Sequence, residues 1–233
     1  MLTTWDLKHL WIDPNKVSDP KKMLSLICQL TANHGCDRIF VRLRRDNPVI
    51  SSIKNTGFTY SKEEFLYRLS GRKSQRNGFE LGVRPRIPTD DYNLFRLYNS
   101  STPLSIRANM GMTFDQWRNS IEQSKSSIEF VSEADGKIAG WLRTIGSKES
   151  SVFEMDIHPE HKSVSKTLLE FVLKRLQSVP SVSCLIPSYQ SAIQSVLTET
   201  GFVPDKEFIT LVRPIAEPEC ILDTHRALTV ASP

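Results

Sequence analysis

An internal repeat constrains this chain more than any other feature. Leu10-Trp11-Ile12-Asp13-Pro14 matches Met155-Asp156-Ile157-His158-Pro159: the end of an apolar strand, a polar residue and a proline, 145 residues apart. Met23-Leu24-Ser25-Leu26-Ile27-Cys28 matches Leu168-Leu169-Glu170-Phe171-Val172-Leu173 at the same offset, apolar against apolar at five of six positions. Asn55-Thr56-Gly57-Phe58 matches Glu199-Thr200-Gly201-Phe202 at 144, and Glu64-Phe65-Leu66 matches Glu207-Phe208-Ile209 at 143. Four matches in one order, drifting one residue at a time, are what single deletions in loops produce.

Pattern then assigns the elements of each copy. Residues 21–33 carry Met23, Leu24, Ile27 and Leu30, and residues 165–177 carry Leu168, Leu169, Val172 and Leu176, the spacing of amphipathic helices. Residues 38–43 and 182–186 are β-rich runs, and residues 65–69 and 208–212 read as closing strands. Residues 49–55 and 192–200 are helical, with Gly57 and Gly201 where a C-terminal glycine belongs. Each copy is strand, helix, strand, helix, strand, which favours a sheet covered by helices.

The second copy has a longer front. Residues 79–85 predict a strand, Asp90 or Asp91 caps a helix running to Tyr98, and Thr113 caps another through Trp117 and Ile121 to Gln123. Residues 128–134 and 137–145 form a hairpin on Asp135-Gly136, and residues 151–157 give the next strand. The expected division is a partial unit over 1–70, a basic linker over 71–78, a complete domain over 79–215 and a loosely attached tail over 216–233. Either the first unit is a half-domain or its start lies upstream.

That order resembles the GNAT (general N-acetyltransferase) superfamily. Glu133-Ala134-Asp135-Gly136-Lys137-Ile138-Ala139-Gly140 resembles its central hairpin, residues 155–169 its strand, proline, phosphate loop and helix, and Thr200-Gly201-Phe202 its closing signature. The likeness covers about 135 residues of the second unit and part of residues 4–69. It implies an α/β (α+β) acyl-CoA N-acyltransferase fold, a mixed central sheet flanked by helices and preceded by a half-unit. It also implies acetyl transfer from acetyl-CoA to an amine, small-molecule or peptide. The cofactor would enter between the strands 151–157 and 182–186, with pantetheine on the backbone of Met155 and Ile157. Pyrophosphate would lie on the loop carrying His161, Lys162, Ser163, Val164, Ser165 and Lys166, and Gln190 matches the amide that often opens the last helix. Glu154 and Asp156 are the candidate general bases, with Glu129 and His158 behind them. As an alternative, a solvent-facing polar strand edge explains the two strand carboxylates.

Two departures bear on activity. Residues 160–168 contain no glycine and run about two residues short, whereas consecutive amides converging on phosphate need open backbone angles. The tyrosine expected four residues before the closing glycine is Leu197 in the second unit and Ile53 in the first. Tyr189 lies nearby, at the start of the helix and on another turn. A non-catalytic ligand-binding or interaction module therefore stands as the alternative to an acetyltransferase.

Composition narrows the rest. Hydrophobic residues at 39% and charged residues at 24% describe an ordinary soluble chain, with no run of roughly 18 apolar residues. No signal peptide is evident, so a cytoplasmic protein without a membrane partner is expected. Cys28, Cys36, Cys184 and Cys220 form no CxxC pair, and no metal is expected. Net charge is +4, and the densest basic stretch holds Arg68, Arg72, Lys73, Arg76, Arg84 and Arg86. Its polar surroundings favour a solvated linker over a nucleic-acid patch. Trp117 and Trp141 read as core or cleft wall.

Overall fold

The computed structural model describes residues 3–7, 20–69, 82–121 and 127–215. Nine strands and seven α-helices follow in the order β1 Thr3–Leu7, α1 Pro20–Asn33, β2 Cys36–Arg44, α2 Ile50–Lys54, β3 Thr59–Leu69, β4 Val83–Pro85, α3 Asp91–Ser101, α4 Leu104–Met110, α5 Phe114–Ser120, β5 Ile128–Ala134, β6 Lys137–Gly146, β7 Ser150–Ile157, α6 Val164–Arg175, β8 Ser181–Pro187, α7 Ser191–Thr200 and β9 Phe202–Pro214 among the described residues. A 3-10 turn, Pro88–Asp90, precedes α3.

Local signals placed several of these. Asp135 and Gly136 take φ of 51° and 70°, the left-handed pair that a two-residue hairpin between β5 and β6 requires. Thr113 accepts from the Gln116 amide at the start of α5. Gly201 ends α7 at φ 96°. The structure adds α4, which the sequence reading lacked. Leu30, expected on the packed face of α1, is 59% exposed, and Thr31 is buried in its place. The Thr31 hydroxyl donates to the Ile27 and Cys28 carbonyls, which satisfies it within the helix.

All nine strands form one sheet, ordered β1-β2-β9-β3-β8-β7-β6-β5-β4. Its six strands from β1 to β7 are symmetric about the β9–β3 pair. β1 runs parallel to β2 and β7 parallel to β8, while β2–β9, β9–β3 and β3–β8 are antiparallel. The repeats have therefore exchanged their closing strands. β3, from the first repeat, sits between β8 and β9. β9, from the second, pairs only with β2 and β3. Residues 79–215 thus do not close on themselves, because both partners of their last strand lie before residue 70.

The cores mirror this exchange. Leu24, Ile39, Val41, Ile53 and Phe58 pack under Ile209 and Leu211 of β9. Leu169, Cys184, Ile186, Leu197 and Phe202 pack under Tyr67 and Phe65 of β3. One repeat offset changes. Trp5 pairs with Ile39 as Phe153 pairs with Cys184, so β1 and β7 correspond at 148 while β2 and β8 correspond at 145. Residues 10–14, which suggested 145 for the strand ends, lie outside the described residues.

α6 and α7 cover one face of the second half, and α1 and α2 the same face of the first. On the other face α3 packs on β6 and β7, α4 on β3, and α5 reaches β1. The helices of the second repeat therefore roof both halves. Gly140 lets α6 approach β6: a Cβ there would lie 2.6 Å from Val164 Cγ1 and 2.8 Å from Leu168 Cδ1. Gly140→Ala is expected to cost about 1–3 kcal/mol in chemical denaturation, through overpacking. Val164→Ala in the same chain should recover part of that loss; equal stability of G140A and the parent would refute the close approach.

Candidate functional site

A cavity of about 520 Å³ lies between the sheet and its helical roof. Its wall is built by alternation. On β7 Phe153, Met155 and Ile157 belong to the core cluster with α6 and α7, so Glu154 and Asp156 turn to the other face and line the cavity. Phe40 and Arg42 of β2, Lys62 and Glu64 of β3, and Phe208 and Thr210 of β9 reach it by the same rule. Both repeats thus contribute.

Asp156 is half-buried, and its carboxyl faces this cavity instead of bulk water. Burial pushes it up to about 7, against hydrogen bonds from Ser101 and the Ile157 amide and the pull of the Lys62 ammonium. Ser101 Oγ donates at 2.9 Å, and Gln190 Nε2 donates to the other carboxylate oxygen. Glu154 has a different role. Buried Arg143 grips it at 2.6 Å and 3.1 Å, so its carboxylate is committed to an ion pair. Glu129, also on the wall, accepts from Trp141 Nε1 at 2.9 Å and lies 3.6 Å from Arg86. Trp117 and Trp141 both line the cavity.

Tyr189 is the residue that sequence reasoning set aside. It follows β8 directly, and the chain's turn into α7 brings it to the cavity wall. Its hydroxyl lies 3.3 Å from Thr102 Oγ1. Burial and the nearby Asp156 carboxylate push the phenol above its ordinary range, so it keeps its proton at neutral pH. Tyr98, opposite on α3, is also pushed up by burial and donates to the Gly111 carbonyl at 3.1 Å. Leu197 and Ile53, where a proton-donating tyrosine was sought, are fully buried in the two cores.

Across the first half of the wall lies Glu64, 3% exposed. Arg42 donates to both of its oxygens at 2.9 Å and 3.2 Å, Lys62 at 2.9 Å and Thr210 at 2.8 Å. Burial opposes its ionisation, but the two cations and these hydrogen bonds prevail and hold it at about 2.

β7 and β8 pair from Ser150–Ser181 to Glu154–Leu185 and then part. The His158 amide bonds to the Ala139 carbonyl, so the ladder with β6 turns the Met155 and Ile157 backbone toward the gap. A pantetheine chain needs such a strand edge. Here the Asp156 carboxylate lies against the Ile157 amide, and Gln190 donates to the same carboxylate. The pyrophosphate segment fits less well. The Glu160 amide bonds to His158 Nδ1 and the His161 amide to the His158 carbonyl. The Val164, Ser165 and Lys166 amides bond to the carbonyls three residues before them. Val164 and Ser165 are buried, whereas Lys162, Ser163 and Lys166 are exposed. Amides spent inside their own turn do not converge on phosphate. Five of the seven amides of residues 160–166 are thus turned away from a coenzyme A pyrophosphate.

The basic stretch proves partly structural. Arg68 pairs with Asp205 at 2.9 Å, Arg84 with Asp90 at 2.7 Å and Glu133 at 2.6 Å, and Arg86 with Asp91. Arg72, Lys73 and Arg76 lie outside the described residues. Among the described residues no group of His, Cys, Asp and Glu is arranged to hold a metal, and no helix is long and apolar enough to cross a membrane.

No family model and no curated protein matches the chain. Solved structures do resemble it. A functionally unknown conserved protein from Staphylococcus epidermidis superposes with a TM-score of 0.56 at 9% identity, over 84% of this chain and 79% of that one. A GCN5-related N-acetyltransferase from Sphaerobacter thermophilus gives 0.51 at 10%, over 88% and 71%. A tandem GNAT protein from the clavulanic acid biosynthesis pathway gives 0.52 at 15%, over 94% and 77%. At such identities the likeness is one of fold. The parted parallel strands, the repeated halves and these neighbours together identify the chain as a protein of GNAT fold in which two repeats share a single sheet.

Proposed function

We propose that the cavity is an amine-binding site and that the chain serves as a ligand-binding module of GNAT fold. The observation that carries this reading is the segment 160–166, in which the Glu160, His161, Val164, Ser165 and Lys166 amides are bonded within their own turns. The donor side of the fold spends most of its phosphate-loop amides, while the acceptor side keeps an aromatic-walled cavity lined by the Asp156 carboxylate. An ammonium entering beside Asp156 supplies the charge that burial denies the carboxylate and favours its ionised form.

Binding should therefore follow pH. Below about 7 the neutral carboxyl offers no charge; above it the carboxylate does. Affinity for a primary amine that stays protonated should rise about tenfold per pH unit below that value and level off above it. Isothermal titration from pH 5.5 to 8.5 reads this directly. Asp156→Asn should flatten the profile, and a native profile already flat would refute the role of Asp156.

N-acylation of the bound amine is the second reading. It is favoured by Asp156 standing where β7 and β8 part, with the protonated Tyr189 hydroxyl on the same wall. Asp156 would accept the amine proton. Thermal melts separate the readings. Binding at 100 times the dissociation constant adds about 2.7 kcal/mol. The module reading expects no shift with millimolar acetyl-CoA; a clear shift, with acetylated amine seen by mass spectrometry, would replace it with the transferase.

A further inference from the structure

Of the charged groups on the cavity wall, Asp156 and the Glu64 cluster, one from each repeat, lie level in the sheet. Asp156 stands two residues beyond the last β7–β8 pair, Glu154–Leu185, which puts it level with Pro187. Pro187 pairs with Glu64 on β3. Asp156 and the Glu64 cluster are thus two strands apart, more than roughly 10 Å at the backbone because β7 and β8 part there. Arg42 engages both oxygens of Glu64, the Lys62 ammonium bonds one of them, and Asp6 of β1 lines the same cavity. Lys62 gives one hydrogen bond to Glu64, its side chain is 15% exposed, and it lines the cavity. Its charge reaches across to Asp156. The wall also carries Phe40, Tyr98, Trp117, Trp141 and Phe208.

From this arrangement we infer that the ligand is a small zwitterion with an apolar body, its ammonium held by Asp156 of the second repeat and its carboxylate by Lys62 of the first. The inference rests on the amine reading above and adds a second anchor to it. It also gives the first repeat a role in recognition, since Asp156 alone selects an amine but not an amino acid.

Isothermal titration at pH 8 with three probes of one shape tests it: L-phenylalanine, phenethylamine and 3-phenylpropionate. Phenylalanine should bind at least about tenfold more tightly than either single-charge analogue, as expected for a desolvated charge pair. Lys62→Met should bring phenylalanine down to the level of phenethylamine, and Lys62→Arg should restore the preference. Melting curves of both variants check that they fold. Phenethylamine binding as tightly as phenylalanine would overturn the zwitterion and leave the amine reading standing. Binding of 3-phenylpropionate alone would overturn both, as would failure of all three probes at 10-millimolar order.

Discussion

A chain beginning at residue 79 will not fold as a monomer, although its sequence contains every element of one complete unit. The exchange of β3 and β9 is the reason. Without residues 1–70, β9 loses both of its neighbours and β8 loses its partner toward the sheet centre. The core loses Tyr67, which is 7% exposed, and the Phe65 packed beside it. Burial of each such side chain stabilises by about 1.5–3 kcal/mol. The unpaired backbone of a 13-residue strand adds to that loss. A domain holds a total margin of about 5–15 kcal/mol, so these losses consume most of it. The fragment should show a collapsed near-UV circular dichroism spectrum and no cooperative melt. Co-expression of residues 1–78 as a separate chain should restore both. A monomeric fragment melting cooperatively at the parent temperature would show that β9 can close on β8 unaided.

Glu64→Ala is expected to be the most damaging single substitution on the cavity wall. It strands Arg42 and Lys62 beside each other, with side chains 39% and 15% exposed. Breaking one side of a buried charge cluster costs about 3–5 kcal/mol. Glu64→Gln keeps part of the hydrogen bonding and should cost less. The pH signature is separate from the size of the loss. The folded carboxyl sits at about 2 against an ordinary 4.5, so it stabilises the fold above 4.5 and that contribution disappears as pH falls through 2. The difference is on the order of 3 kcal/mol. Urea denaturation between pH 2 and 6 should show a slope in the parent that is reduced in E64Q. Parallel curves would mean that Glu64 carries no such linkage.

Asp156 has the opposite sign. Its folded value, about 7, exceeds the ordinary 3.8, so the stability tied to its neutral form is complete below 3.8 and is lost as pH rises through 7. Acid thus loosens the Glu64 end of the cavity and alkali the Asp156 end. Asp156 and Lys62, which bonds Glu64, are the two anchors of the inferred ligand site.

Much of this protein is written locally. Asp135-Gly136 makes a hairpin because only residues tolerant of positive φ make that turn. Thr113 caps α5 because its hydroxyl meets an amide three residues on. Alternation on β7 places Glu154 and Asp156 on one face whatever surrounds them. The repeat itself needs no structure to be seen. What periodicity leaves open is which partner an element chooses. β3 and β9 present matching apolar faces, Phe65 and Tyr67 against Ile209 and Leu211, so each satisfies either half-core by pattern alone. Their exchange is settled by how the two halves meet, as in any swap of like elements. Tyr189 shows the same limit at the site. Four residues separate it from Leu185 in sequence, but only the parting of β7 from β8 and the turn into α7 bring it to the cavity. The repeat, the two strand carboxylates and every helix but α4 could be read along the chain, because those follow from contacts a few residues long. Tertiary structure decided the shared sheet, the joint cavity and the committed state of Glu154, because those depend on packing between residues more than a hundred positions apart or across neighbouring strands.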